Sequence, residues 1–273
     1  MKQRVITGVI LAAIIIPFLL LPKAFFFGLM ALFVGIGVVE MFAITTRNKA
    51  IPKPVFVYPI AMALSVYTLL LNAWLGIINI RILVIVIFIA MLVGLMLTVF
   101  VKQFTSAVLA QSWFSVLYVA VGFFAVAAVR NEGLTTLLYL LILVMMTDNF
   151  AYMVGMKLGR RKLAPTISPK KSIEGAIAGT LIAVPIATIF AYYFNVYPFT
   201  TLWVFVVIAI PIGIVLSILG QIGDLIASRI KRDYSVKDFS NLLPGHGGIL
   251  DRFDSTAFTS IALFTVLMII EVL

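Results

Sequence analysis

Residues 82–101 read ILVIVIFIAMLVGLMLTVFV, a long run without a charged side chain. Crossing the hydrocarbon core of a bilayer takes about 20 apolar residues in a helix, because every backbone polar group must be satisfied within the segment. This stretch therefore predicts a transmembrane helix. The composition agrees, since 63% of the 273 residues are hydrophobic and 11% are charged, which excludes an ordinary water-soluble domain.

Eight further stretches are apolar over a similar length, so the sequence predicts nine membrane spans in total. The bounds of these eight are 5–21, 24–44, 55–75, 105–129, 134–156, 175–194, 202–222 and 255–273. Lys2 and Arg4 precede the first run as in a signal peptide, but no small-residue cleavage site follows, so we expect a retained helix. The predicted fold is an all-α polytopic integral membrane protein that forms a single membrane domain.

The distribution of Lys and Arg predicts the orientation of these spans. With a cytoplasmic N-terminus, all but three of the 20 cationic residues fall on the cytoplasmic side. The cytoplasmic segments are then 1–4, 45–54, 102–104, 157–174 and 223–254. The net charge of +10 follows from this bias and from attraction to anionic lipid head groups, so it does not indicate nucleic acid binding. The chain has no cysteine, which excludes disulfides and thiolate metal sites.

Three acidic residues lie within or near predicted spans, where a carboxylate is costly and is usually functional or paired. Glu40 and Glu271 lie close to span ends, so we expect both to reach the membrane interface. Asp148 lies deeper in the sixth span, between Thr147 and Asn149, in a polar neighbourhood. Asp148 is therefore the candidate for a functional intramembrane acid.

The first polar loop, residues 157–175, reads KLGRRKLAPTISPKKSIEG and carries six cationic side chains and a single acid. Ser168 and Ser172 flank a Pro-Lys-Lys tripeptide just before the seventh helix. Free backbone N–H groups at a helix N-terminus, next to Lys170 and Lys171, would suit a phosphate group. Simple membrane-surface charge remains an equal alternative for this loop.

The second polar loop, residues 223–255, reads GDLIASRIKRDYSVKDFSNLLPGHGGILDRFDS. If its first part is helical, Asp224, Ser228, Lys231 and Arg232 lie on one side of that helix. Such a stripe joins an acid to cations. Taken alone, it also fits the solvated face of an ordinary helix.

The glycine-rich stretch 244–248, PGHGG, is a different kind of segment. Its three glycines allow positive φ angles and close backbone approach to a ligand around His246, although glycines also serve purely steric turns. Asp251 and Asp254 follow, and their spacing puts both carboxylates on one face if the ninth helix has begun. Two carboxylates, with Arg252 between them, suit Mg²⁺ and substrate phosphates, but they could instead stabilise the helix N-terminus. The combination predicts a metal-dependent phosphotransfer enzyme at a membrane surface.

These motifs resemble the signature of the phosphatidate cytidylyltransferases, also called CDP-diacylglycerol synthases. The signature reads S-x-x-K-R, four residues, K-D, then P-G-H-G-G, two residues, D-R, one residue and D. Its matches here are Ser228, Lys231, Arg232, Lys237, Asp238, Pro244 through Gly248, Asp251, Arg252 and Asp254. The stretch TDNFAYMVG, with Asp148, and the following KLAPTISPKKSIEG resemble the family as well.

The resemblance is strong over residues 145–255 and weak over 1–140. It therefore divides the single domain into N-terminal helices, 1–140, and a catalytic half, 141–273. One position departs from the family pattern, because Ala227 stands where many members have Glu. If that Glu helps to hold a cation, other acids such as Asp148 or Asp224 must complete the site here.

The resemblance implies the reaction of CTP with phosphatidic acid to give CDP-diacylglycerol and pyrophosphate, in phospholipid biosynthesis. It implies that Mg²⁺ is required and leaves a second cation open. The implied catalytic residues are Asp224, Lys231, Arg232, Asp251 and Asp254. The implied substrate-binding residues are Ser168, Lys170, Lys171, Ser228, Lys237, Asp238, Gly245, His246, Gly247, Gly248 and Arg252. The implied metal ligands are Asp148, Asp224, Asp251 and Asp254.

The expected partners are CTP, phosphatidic acid and membrane lipid, without nucleic acid, and a homodimer is left open. The expected location is the inner or plasma membrane, with the active site on the cytoplasmic side. Rival interpretations are another CTP-using membrane enzyme, such as a polyprenol kinase or a CDP-archaeol synthase, and more remotely a secondary transporter. Release of pyrophosphate rather than CDP separates a cytidylyltransferase from the kinase.

Overall fold

The computed structural model describes residues 2–47, 51–199 and 201–272, with side chains from Thr7 onward. Over these ranges the chain forms nine α-helices and a two-stranded sheet. The helices are α1 (Lys2–Leu20), α2 (Lys23–Thr45), α3 (Val57–Trp74), α4 (Ile80–Phe100), α5 (Ser106–Glu132), α6 (Leu134–Leu158), α7 (Ile173–Tyr193), α8 (Leu202–Asp233) and α9 (Leu250–Val272). A 3₁₀ turn, Lys53–Phe56, precedes α3. Predictions that fall on residues 1, 48–50 and 273, and on the side chains of Lys2 and Arg4, lie outside this description.

The helical architecture confirms the predicted polytopic membrane fold. Within the described residues, eight helices are long and apolar enough to cross a membrane. Helix α1 is 19 residues long, and its described part, Thr7–Leu20, is also apolar.

The largest departures from the predicted bounds concern α8 and α9. Hydropathy predicts that α8 ends at residue 222, whereas the helix continues to Asp233. A helix satisfies its own backbone hydrogen bonds, so it can continue into water after its apolar residues end. The 32 residues of α8 extend over about 48 Å, compared with a hydrocarbon core of about 30 Å. Helix α9 begins at Leu250 rather than at residue 255, so both Asp251 and Asp254 are helical.

A small antiparallel hairpin is the exception to the all-α prediction. Its strands are β1 (Lys162–Ala164) and β2 (Ser168–Ser172), and Lys162 pairs with Ser172. Ser172 then ends the hairpin and caps α7, because its hydroxyl accepts a hydrogen bond from the N–H of Gly175 at 3.2 Å. The first polar loop is thus an ordered hairpin joined directly to a helix.

The chain divides into two compact units. Unit 1 comprises Met1–Ala128 and Tyr234–Arg252, and unit 2 comprises Val129–Asp233 and Phe253–Leu273. These bounds differ from the division at residue 140 that the family resemblance suggests.

Unit 1 contains a buried cluster of apolar side chains where α2 packs near the start of α5. Phe42, Phe104, Val108 and Leu109 are all less than a tenth exposed. Phe42 also meets Phe56 edge to face, with ring centroids 4.9 Å apart. This packing holds the 3₁₀ turn and the segment before α5 against the helices of unit 1.

Close contact between α6 and α7 organises unit 2. A Cβ added to Gly175 would lie 2.5 Å from the carbonyl oxygen of Ala151, and one added to Gly179 would lie 2.5 Å from that of Thr147. Glycine at these positions therefore lets the two backbones touch, as small residues do between membrane helices.

A chain of buried hydroxyl groups links α8 to this helix pair. The Ser217 hydroxyl lies 2.9 Å from those of both Thr147 and Thr180, and Gln221 donates to Thr180 at 3.0 Å. Because buried polar groups need partners in an apolar interior, this chain specifies how α6, α7 and α8 pack. It lies one residue from Asp148 and about one turn from Asp224.

Candidate active site

The predicted acid and cation stripe of the second loop lies on the last turns of α8, in unit 2. This placement confirms that residues 224–232 are helical. The Ser228 hydroxyl donates to Asp224 Oδ1 at 3.3 Å, as their spacing of four predicts. The Lys231 side chain is buried, at 8% exposure, whereas Arg232 is exposed and donates from Nε to the carbonyl oxygen of Ile167 in the hairpin.

A lysine from the hairpin meets this stripe. Lys171 Nζ forms an ion pair with Asp224 Oδ2, and both side chains are about one quarter exposed. Asp148, on α6, interacts electrostatically with both Lys171 and Asp224. Three separate segments of unit 2, namely α6, β2 and α8, therefore bring two acids and a cation together.

Asp254, on α9, is the third acid of this group. It interacts electrostatically with Asp224, Asp148 and Lys231, and its Oδ1 accepts the N–H of Ser255 at 2.7 Å. We call Asp148, Asp224 and Asp254 the carboxylate cluster. Like charges held close together in a partly buried place need cations, and Lys171 and Lys231 supply two.

The donor set of the carboxylate cluster suits a hard cation, because all its ligand atoms are carboxylate oxygens. Within the described part of the chain, no three His, Asp or Glu side chains are close enough to hold a metal ion by themselves. Mg²⁺ usually binds one or two carboxylates and takes its remaining oxygens from water and substrate phosphates. The arrangement therefore fits a cation that binds together with a phosphorylated substrate.

The predicted residues of the first loop differ in exposure and in their partners. Lys170 is exposed, whereas the neighbouring Lys171 is paired with Asp224. Glu174 accepts the N–H groups of Arg160 and Arg161 at 3.0–3.2 Å and so closes the base of the hairpin. The N–H groups at the start of α7 are thus not all free, because Ser172 already caps one of them.

The glycine-rich loop and Asp251 belong to unit 1. Gly245 and Gly247 have φ angles of +77° and +82°, so the predicted need for glycine is confirmed at both. Asp251 is buried, and its Oδ2 accepts the N–H of Phe239 at 2.8 Å and that of Gly248 at 2.9 Å. One oxygen of this predicted metal ligand therefore fixes the two ends of the loop.

Glu40, on α2, is a functional candidate that sequence reasoning missed. Its predicted place at the membrane interface stays a prediction, but its side chain is buried in the protein at 5% exposure rather than open to solvent. Its carboxylate accepts the hydroxyl of Ser240 at 2.7 Å and the N–H groups of Ile249 and Leu250 at 3.0 Å each. Glu40 thus caps the start of α9 within unit 1 and holds the preceding loop. Glu271, in contrast, is exposed.

Gly248 fits against the Glu40 carboxylate so closely that no side chain has room there. A Cβ at Gly248 would lie 2.4 Å from Glu40 Oε1 and 2.6 Å from Oε2. The signal for Glu40 in the sequence is only a lone acid in an apolar run, with partners at least 200 residues away.

The remaining predicted residues of unit 1 lie at the loop surface. Lys237, Asp238 and Arg252 are exposed, and His246 is half-buried. Among the described residues, His246 Nδ1 is buried without a hydrogen-bond partner. The structure thus groups the acids of unit 2 with Lys171 and Lys231, and places the glycine-rich loop, Asp251 and Arg252 in unit 1.

Comparisons with known proteins give consistent matches over nearly the whole chain. Residues 2–270 match the model described as "Cytidylyltransferase family". A phosphatidate cytidylyltransferase of Staphylococcus haemolyticus is 36% identical over 276 residues, covering 98% of this chain and 99% of the relative. One of Bacillus subtilis is 38% identical over 265 residues, covering 94% of each chain. One of Staphylococcus aureus is 34% identical over 275 residues, covering 98% of this chain and 99% of the relative. The similarity therefore extends through the first half, where the motifs alone gave little.

Proposed function

Because this chain belongs to the cytidylyltransferase family and acts as a phosphatidate cytidylyltransferase, we propose that its carboxylate cluster binds the metal and the substrate phosphates. The reaction joins CTP and phosphatidic acid to give CDP-diacylglycerol and pyrophosphate. The enzyme is a multi-pass membrane nucleotidyltransferase of phospholipid biosynthesis. The observation that carries the proposal is the convergence of Asp148, Asp224 and Asp254 with Lys171 and Lys231.

The chemical step is an attack by an oxygen of the lipid phosphate on the α-phosphorus of CTP. A new O–P bond forms, the bond from the α-phosphorus to the bridging oxygen breaks, and pyrophosphate leaves with that electron pair. No side chain has to remove a proton, because a phosphate monoester with a second pKa of about 6 is largely ionised near neutral pH. The protein's task is therefore to position the phosphates and to neutralise their charge.

In this proposal, Asp224 and Asp254 would hold Mg²⁺, with Asp148 as the third acid beside them. Bound there, Mg²⁺ would offset the negative charge of the triphosphate and of the leaving pyrophosphate. The Ser228 hydroxyl and the Ser255 N–H orient the carboxylates by donating to their oxygens. Ala227, fully buried in α8, offers no ligand, so Asp148 supplies the extra carboxylate.

The cations of unit 2 bind phosphate oxygens in the proposed mechanism. Lys171 and Lys231 already face acids in the structure, so each can turn from a carboxylate to a substrate phosphate at small cost. Arg232 extends from the same helix turn and contacts the hairpin that carries Lys170 and Lys171. Their positive charge would stabilise the departing pyrophosphate.

The loop residues of unit 1 keep the roles that the family resemblance implies. In this loop the N–H groups of His246 and Gly248 donate to the Leu243 carbonyl oxygen and to Asp251, respectively. The N–H groups proposed for phosphate oxygens are therefore those of Gly245 and Gly247, which have positive φ angles. Lys237 and Arg252 would add charge, and His246 would shape the loop or donate to a phosphate. We propose Asp251 as the residue that fixes this loop, with metal binding by its other oxygen as the resemblance implies.

We further propose that the reaction occurs at the cytoplasmic face of the plasma membrane. The support is the concentration of Lys and Arg in the segments that carry the site. Labelling of an introduced cysteine at Lys237 by a membrane-impermeant reagent in intact cells tests this orientation, and labelling from outside would contradict it. A homodimer stays a prediction, to be tested by the molecular mass of the purified protein in detergent.

The central experiment measures product formation by the purified enzyme in detergent. With CTP, phosphatidic acid and Mg²⁺, we expect CDP-diacylglycerol and pyrophosphate in equal amounts, and we expect none when the divalent cation is chelated. Undiminished activity after chelation would remove the metal from the proposal. Release of CDP instead of pyrophosphate would indicate a kinase and contradict the proposed function.

A further inference from the structure

An apolar cavity of about 540 Å³ lies among α3, α4 and the start of α5, within unit 1. The lining is almost wholly aliphatic and aromatic, with Ala61, Val66, Ala90 and Val93 among its residues. Pockets that bind small organic ligands commonly measure about 300–1,000 Å³. The cavity is thus large enough for an organic ligand and offers it almost no hydrogen-bonding group.

Three lining side chains carry a polar atom, namely Tyr58, Ser65 and Trp113. Tyr58 donates its hydroxyl hydrogen to the carbonyl oxygen of Ala90 at 2.8 Å, across the gap between α3 and α4. Gly94 allows this approach, because a Cβ there would overlap the Tyr58 oxygen. Because the rest of the lining is aliphatic or aromatic, we expect the part of a ligand that occupies the cavity to be mainly apolar.

The depth of the cavity matches one leaflet of a bilayer. Its lining along α3 runs from Val57 to Val66, about 14 Å at 1.5 Å per residue, and along α4 from Val86 to Leu97, about 16 Å. Half of the hydrocarbon core of a membrane measures about 15 Å. An acyl chain of a lipid in that leaflet would extend along the whole cavity.

The end of the cavity near the membrane surface is cationic. Lining residues Pro54 and Val101 adjoin Lys53 and Lys102, whose side chains are exposed. The two connections, residues 46–56 and 101–105, contain no Asp or Glu. A ligand whose apolar part occupies the cavity therefore meets uncompensated positive charge at its polar end.

We propose that this cavity binds an acyl chain of an anionic glycerophospholipid whose head-group phosphate contacts Lys53 and Lys102. The apolar lining selects a hydrocarbon chain, the depth selects a lipid of one leaflet, and the two lysines select a negatively charged head group. Two lipids share this chemistry, namely the substrate phosphatidic acid and a resident anionic lipid such as phosphatidylglycerol. The site is defined by unit 1 residues alone and does not depend on the proposed mechanism of cytidylyl transfer.

The test measures lipid retention by native mass spectrometry of the full-length protein. The protein is delipidated in detergent and titrated with phosphatidylglycerol, phosphatidic acid or zwitterionic phosphatidylcholine. The cavity is filled with Ala61→Phe, since Ala61 lines the cavity and is exposed to it. The matched control is Ala110→Phe, at an exposed position of α5 outside the lining.

We expect Ala61→Phe to weaken the binding of one molecule of the retained anionic lipid at least tenfold. Ala110→Phe should bind that lipid as the wild type does. Equal retention by Ala61→Phe and the wild type would overturn the cavity as the binding site. The double change Lys53→Gln and Lys102→Gln should remove the preference for whichever anionic lipid the wild type retains over phosphatidylcholine. The control Arg81→Gln, at the other end of α4, should keep that preference. A wild type that prefers neither phosphatidylglycerol nor phosphatidic acid over phosphatidylcholine would overturn the role of the lysines.

The two lipid sources give different results in the same experiment. If the site serves the substrate, only phosphatidic acid is retained, and Ala61→Phe raises the KM for phosphatidic acid without changing the KM for CTP. If the site holds a resident lipid, phosphatidylglycerol is retained equally well and neither KM changes. Both outcomes support an anionic lipid site, and retention of neither lipid would overturn it.

Discussion

Unit 1 and unit 2 each contain buried or half-buried carboxylates, but they use them in opposite ways. In unit 1, Glu40 and Asp251 accept backbone N–H groups, so their charge is taken up by the fold of the glycine-rich loop. In unit 2, the three acids of the carboxylate cluster interact with one another and with Lys171 and Lys231. A carboxylate that accepts several backbone N–H groups stabilises the fold, whereas we expect one that faces lysine side chains to be able to bind a cation or a substrate instead.

The partners of these acids predict different roles for residues that their spacing in the sequence makes look alike. Asp251 and Asp254 look equivalent in the motif, three residues apart on one helix. In the structure, Asp251 Oδ2 accepts two backbone N–H groups of the preceding loop, whereas Asp254 Oδ1 accepts the N–H and the hydroxyl of its neighbour Ser255. We therefore expect changes in unit 2 to affect catalysis first and changes in unit 1 to affect the loop first.

The change Asp254→Asn should give the largest effect. It keeps the shape of the side chain but removes the charge that would hold Mg²⁺, so we expect kcat to fall about 100-fold or more, with thermal stability unchanged. Steady-state assays over a range of Mg²⁺ concentrations measure this. Glu271→Gln, at an exposed position of the same helix, should leave activity unchanged. Wild-type kcat in Asp254→Asn would contradict the metal role.

The change Gly248→Ala should disturb the hydrogen bonds by which Glu40 holds the loop and the start of α9 in unit 1. Its new Cβ would overlap the Glu40 carboxylate, and overpacking of this kind costs about 1–3 kcal/mol. We expect a lower unfolding temperature and a reduced kcat, with the Mg²⁺ dependence unchanged. Gly35→Ala provides the matched control, because a Cβ there meets nothing within 4 Å. Equal unfolding temperatures for the two variants would contradict this prediction, because the loop would then accommodate the added Cβ without loss of stability.

The pair Lys171→Met and Lys170→Met separates two lysines that the sequence treats alike. Lys171 faces Asp224, so its loss leaves a half-buried acid without its ion-pair partner, whereas Lys170 is exposed. We expect kcat/KM for CTP to fall about tenfold in Lys171→Met, the equivalent of about 1.4 kcal/mol. Lys170→Met should change it much less. A larger effect in Lys170→Met would reverse this assignment.

The smallest effect is expected from Ser217→Ala. This change removes the hydroxyl between Thr147 and Thr180, and a buried hydrogen bond contributes about 1 kcal/mol to stability. Thermal unfolding in detergent should show a modest decrease, with activity close to wild type. Arg229→Gln breaks only an exposed ion pair with Asp233 and should fall within about 0.5 kcal/mol of wild type. An equal loss in both variants would mean that the buried hydroxyl chain adds nothing.

The sequence predicted most of the fold because apolar runs are a local property. It also predicted the helical stripe from Asp224 to Arg232 and the positive φ angles in the glycine-rich stretch, which follow from spacing and from residue type. The C-terminal end of α8 and the start of α9 were missed because hydropathy detects the apolar part of a helix and not its polar continuation. The hairpin was missed because its short, charged strands show no alternation of apolar and polar residues.

The site was predicted less completely, since tertiary contacts decide it. Glu40 has partners 200 to 210 residues away, and no local pattern announces such contacts. The pairing of Lys171 with Asp224 likewise depends on how a hairpin and a helix meet. Motif spacing predicted the candidate residues, but it could not tell which acids accept backbone N–H groups and which face cations.

The unbroken length of α8 has a consequence for how the enzyme can be altered. One continuous helix extends from Leu202 to Asp233, so the height and the rotation of Asp224, Lys231 and Arg232 are set by residue count. A single residue inserted after Gln221 would turn everything beyond it by about 100° and raise it by about 1.5 Å. In the proposed mechanism, the length of α8 would therefore set the level at which these side chains meet a lipid phosphate.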